Sequence, residues 1–97
     1  MSTEEKLKML NASWELHSQV ETSYLKNPAN RDDAEWLEKQ RLLLADNALH
    51  LLQTSIKPGE IKLDRLRDNL HAILTITDQF LPNADLKKAT EKLYCNG

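Results

Sequence analysis

The sequence predicts an all-α fold: a small antiparallel bundle of three main helices and a short C-terminal helix. Three observations carry this. Apolar residues recur at three- and four-residue steps through three long stretches. Only two glycines and three prolines occur in 97 residues, and none interrupts those stretches. An all-β chain of this length would need many more turn residues. The length itself suggests one domain, residues 1–97, able to bury only a limited core.

A first helix is expected from about Thr3 to Lys26. Ser2 and Glu5 have capping-box spacing, and Leu7, Leu10, Trp14, His17 and Tyr24 share one side, widened by Met9, Leu16 and Val20. Trp14 reads as core. Asn27-Pro28 ends the helix, because proline pushes the residue before it out of the α region. The second helix should begin after Asp32, with Asp32 and Glu35 as starting residues, and run to Thr54 or Ile56. Lys57-Pro58-Gly59 is the strongest break in the chain. The third is centred on Asp64 to Leu81, with Leu63, Leu66, Leu70, Ile73, Thr77 and Phe80 on one side. Its start is ambiguous: Asp64 is a candidate N-cap, with Glu60-Ile61-Lys62 irregular, and the alternative places Pro58 at the first helical position. Pro82 closes it. The fourth, Ala84 to Tyr94, should be capped by Asn83 and is too short to persist without docking on the rest.

The second helix carries more apolar surface than one buried face uses. Ala34, Leu37, Leu44, Ala45, Ala48, Leu51 and Leu52 form one stripe, expected to be core. Leu42, Leu49 and Ile56 form another, and Trp36 and Leu43 begin a third. The flank made by Trp36, Leu42, Leu43 and Leu49 is therefore the candidate partner-binding surface. Exposed aromatic residues commonly anchor such contacts.

Charge narrows the remaining classes. The net charge is −2, with both signs interspersed and no long basic run, so a phosphate-neutralising surface is not evident. The residues that would form one are Lys57, Lys62, Arg65 and Arg67, but Asp64 and Asp68 interleave with them. His17, His50, His71 and Cys95 are the plausible soft metal ligands, yet they fall on separate elements without zinc-motif spacing, so no metal or cofactor is expected. Cys95 has no obvious base, and no glycine-rich phosphate loop occurs. One cysteine cannot form an internal disulfide, no signal segment is readable, and no apolar run approaches the roughly 18–20 residues that span a bilayer. A cytoplasmic location follows by default.

The function expected from these features is non-enzymatic: a small regulator, inhibitor, assembly factor or chaperone that docks an apolar helical face on a partner protein or on a second copy as a homodimer. The alternative is a small nucleic-acid-binding regulator using the basic residues around the third helix.

Overall fold

The computed structural model describes residues 1–94; Cys95 and the Asn96-Gly97 exit lie outside the described residues. It contains four helices: α1 (Thr3–Lys26), α2 (Trp36–Ile56), α3 (Leu63–Thr77) and α4 (Leu86–Leu93). No strand occurs among the described residues, and no helix is long and apolar enough to cross a membrane.

The helices run up and down, each against its neighbour in the chain. α1 packs on α2, α2 on α3, and α3 on α4, with no further helix pairing among the described residues. The bundle is consequently open. Its principal extents are 45 × 40 × 16 Å, a layer rather than a ball. α2 sits centrally, but α1 and α3 cover its two edges and α4 does not reach it.

The ends of the elements follow from local chemistry. The Ser2 hydroxyl accepts from the Glu5 N–H at 3.1 Å and donates to the Glu5 carboxylate at 3.1 Å, closing the first turn of α1. After Asn27, the Asn27 side-chain oxygen accepts from the Ala29 N–H at 2.9 Å, a turn that tucks Ala29 inward. Lys39 then ties the corner, donating to the Ala29 carbonyl at 3.4 Å and lying 4.8 Å over the Tyr24 ring.

Four element boundaries differ from the sequence expectation. α2 starts at Trp36, because the Asp33 carboxylate turns back to accept from the Asn30 N–H at 2.7 Å and holds residues 30–33 in a turn. Asp32 and Glu35 make no side-chain cap. α3 starts at Leu63, so Asp64 lies in its first turn instead of capping it. It ends at Thr77, where N–H groups of residues 78–81 fold back in a series of turns. α4 starts at Leu86 behind Asp85, whose φ of 57° is left-handed, so Asn83 is not its cap. Glu60-Ile61-Lys62 is irregular, as read from the sequence.

The interior is mostly polar. Ala29, 5% exposed, is the one buried apolar residue among those described, against buried Ser13, Gln40, Gln53 and Thr90. The stripe expected as core is not enclosed: Leu37 is 46% exposed, Ala45 and Ala48 are exposed, and Leu44, Leu51 and Leu52 are half-buried. A second layer would be needed to cover them. Trp14, expected in the core, is 53% exposed, on the side of α1 that carries His17.

At the α2–α3 seam, the Trp36 indole N–H donates to the Gln79 oxygen at 2.9 Å, and Gln79 Nε2 donates to the Gln40 oxygen at 3.2 Å. The Nε2 groups of Gln40 and Gln53 are buried without a partner. An unsatisfied buried donor costs about 1–3 kcal/mol. Replacing Gln53 by a residue of similar length and no donor, Gln53→Met, should raise stability by about 1 kcal/mol in urea titration; a loss instead would show that the amide is satisfied.

Candidate functional site

One side of the layer is indented and carries most of the polar contacts; the other is open and more apolar. On α2, Lys39, Asp46 and His50 project along the α1 edge and Trp36, Gln40 and Thr54 along the α3 edge, where they make their polar contacts. Half a helical turn away lie Leu37, Ala45, Ala48, Leu49, Leu52 and Ile56, together with the exposed Glu38–Arg41 ion pair and Ser55. By the same wheel reckoning, Met9, Leu16 and Val20 of α1 fall on this apolar side, with Met9 and Leu16 exposed.

The four candidate partner-binding residues do not form one patch. All are half-buried. Trp36 is tethered to Gln79 at the α2–α3 seam. Leu43 belongs to the polar side, where it lines a cavity of about 360 Å³ with His17, Glu21, Tyr24, Asp46 and His50. Leu42 and Leu49 share the apolar side of α2. The exposed Leu37, Ala45 and Ala48, read as core in sequence, extend that apolar side.

Three of the four basic candidates do come together. Lys57, Lys62 and Arg65 line a cavity of about 380 Å³ spanning α1, α2 and α3, with Trp14, Gln53, Asn69 and the acidic Glu60 on its walls. The Gln53 amide, 8% exposed, is a donor without a partner in this wall. Arg67 is elsewhere, its guanidinium 4.8 Å over the Tyr94 ring at the α3–α4 seam.

The histidines, expected to stand apart, are partly gathered. His17 of α1 meets Asp46 and His50 of α2, and ligand atoms of the three lie within 4.8 Å of one another. His17 Nδ1 faces Asp46 Oδ1, His50 Nε2 stands 3.3 Å from Asp46 Oδ2, and His17 Nε2 lies 3.2 Å from Glu21. The His17 ring packs edge-on to both Trp14 and His50. Asp46 and His50, four apart on one helix, were the readable half of this cluster; His17 joins it only through the register of the α1–α2 hairpin. His71 lies instead beside Tyr94, with ring centroids 5.3 Å apart.

Tyr94 fastens α4 to α3. Its hydroxyl donates to the Asp68 carboxylate at 2.8 Å. This hydrogen bond raises the phenol above its ordinary value of 10.0, reinforced by partial desolvation and by the negative charge of Asp68, while Arg67 opposes the shift. A phenol that holds its proton more tightly when folded contributes stability in full below pH 10, and the contribution disappears as pH rises through the raised value. Ultraviolet titration should therefore show Tyr94 ionising above pH 10, and Asp68→Ala should bring it down; a titration unchanged by Asp68→Ala would exclude the contact.

Comparison with known protein families, curated proteins and solved structures finds no match to this chain.

Proposed function

We propose that this chain is a non-enzymatic interaction module that completes its core by docking the apolar side of its helical layer on a second copy of itself. The observation that supports this is surface area. A folded monomer of 11.2 kDa is expected to expose about 5,700 Å². This chain exposes 7188 Å². Its radius of gyration, 15.3 Å, likewise exceeds the ~12.5 Å of a compact chain this long. The surplus is about 1,500 Å² per chain, or about 3,000 Å² for an isologous pair, within the range of obligate homodimers. Leu37, Ala45 and Ala48 of α2, continued by Met9 and Leu16, offer the apolar surface for it, and the exposed Glu38–Arg41 pair beside them would enter the interface already neutralised.

Sedimentation equilibrium should give a dimer at micromolar concentration. Ala45→Glu, at an exposed position, and Leu49→Asp should each yield monomers, with Ala45→Glu keeping the helical circular-dichroism signal. A wild-type monomer with sharp cooperative unfolding would overturn the proposal. A wild-type monomer that unfolds without cooperativity would overturn self-association and favour a different protein as the covering partner.

A second reading, binding of nucleic acid, is favoured by the gathering of Lys57, Lys62 and Arg65 beside the exposed Trp14 and the unpartnered Gln53 donor. Glu60 in the same wall and the net charge of −2 oppose it. On this reading, duplex DNA should bind with a log–log salt slope of about −3, one phosphate per cation, falling by about 1 for each of Lys57→Ala, Lys62→Ala and Arg65→Ala. Salt-insensitive binding, or none at low salt, would dismiss it.

A further inference from the structure

We infer that His17, Asp46 and His50 form a binding site for a divalent transition metal, with zinc the ion their donors suit best. Two imidazoles and one carboxylate are a common donor set for zinc. The ligand atoms lie within 4.8 Å of one another, whereas a tetrahedral zinc with bonds of about 2.0–2.1 Å holds its ligand atoms about 3.3 Å apart. The His50–Asp46 pair is already at 3.3 Å, while the facing atoms of His17 and Asp46 stand closer than two ligands of one ion and would part as it enters. All three residues are half-buried, which limits competition from solvent without sealing the site.

Hydrogen bonding supplies the second argument. Glu21 lies 3.2 Å from His17 Nε2 and is placed to accept its proton. In the neutral ring that leaves the lone pair of His17 Nδ1 directed at the Asp46 carboxylate, an arrangement of like polarity. The other neutral tautomer donates Nδ1–H to Asp46; the tautomer that Glu21 favours frees Nδ1 to act as a ligand, and His50 Nε2 converges on the same carboxylate. A carboxylate holding the outer nitrogen of a ligating histidine is the usual way such a ring is oriented and made more basic. Trp14 and the His50 ring flank His17 edge-on and restrict its rotation.

The site joins α1 to α2 through residues 29 positions apart, so a bound ion would clip the first hairpin shut. Three protein ligands leave a fourth position for water or for an incoming side chain.

The test uses the full chain, freed of metal with a chelator and titrated with zinc chloride in competition with a chromophoric chelator. One zinc per chain is expected. Addition of zinc to the wild type should perturb the ring resonances of two histidines and leave that of His71 unchanged, a readout that depends on no variant. Cobalt should give d–d absorption of tetrahedral intensity. His50→Ala and Asp46→Asn should each weaken binding at least tenfold, and Glu21→Gln by about tenfold with the cobalt spectrum retained. His71→Ala and Cys95→Ser should bind as wild type. No saturable binding at millimolar zinc would overturn the proposal. So would binding that survives His50→Ala, binding lost in Cys95→Ser, or a shift of the His71 resonance instead of the other two.

Discussion

The constraint on which this structure depends is that each helix packs only against its neighbours in the chain. Two helix edges can be covered in such a row, but the two faces of the row cannot. α2 has most of its circumference apolar, so the row leaves Leu37, Ala45 and Ala48 open and the other α2 leucines only half-covered. The polar interior follows from the same geometry. The seams between adjacent helices are narrow, and at several points they are filled by glutamine, serine and threonine side chains that reach backbone or one another. Hydrophobic burial is then a weak source of cohesion within one chain, and a second layer would be the stronger one.

Side-chain contacts at the seams fix the register of the row. Trp36–Gln79–Gln40 sets one end of the α2–α3 seam, and Thr54, donating to the Asn69 oxygen at 2.6 Å, sets the other. The His17–Asp46–His50 cluster and the Lys39–Tyr24 contact do the same between α1 and α2. Directional contacts of this kind define a unique alignment where a thin apolar seam would slide.

Much of the fold was legible in the sequence for reasons that are local. Ser2 and Glu5 announce the start of α1 because capping is decided within one turn, and Asn27-Pro28 and Lys57-Pro58-Gly59 interrupt because proline and glycine act on their own backbone. The starts of α2 and α4 were missed where a choice between local turns decided the outcome, as with Asp33 turning back to Asn30. Periodicity told which residues of α2 share a side, but not which sides are covered. Leu37 and Gln40 differ by less than one turn, yet Gln40 is 2% exposed and Leu37 lies open. The histidine cluster was half legible for the same reason: Asp46 and His50 are neighbours by helical spacing, while His17 arrives by tertiary register alone.

The row also bears on how the chain reaches its folded state. Every helix contact closes a hairpin between consecutive elements, and none requires the two ends of the chain to meet. Such a low contact order places the search within one chain in the microsecond-to-millisecond range typical of helical bundles. Any slow step would then belong to encounter between chains, and its rate would rise with concentration while the formation of helices would not.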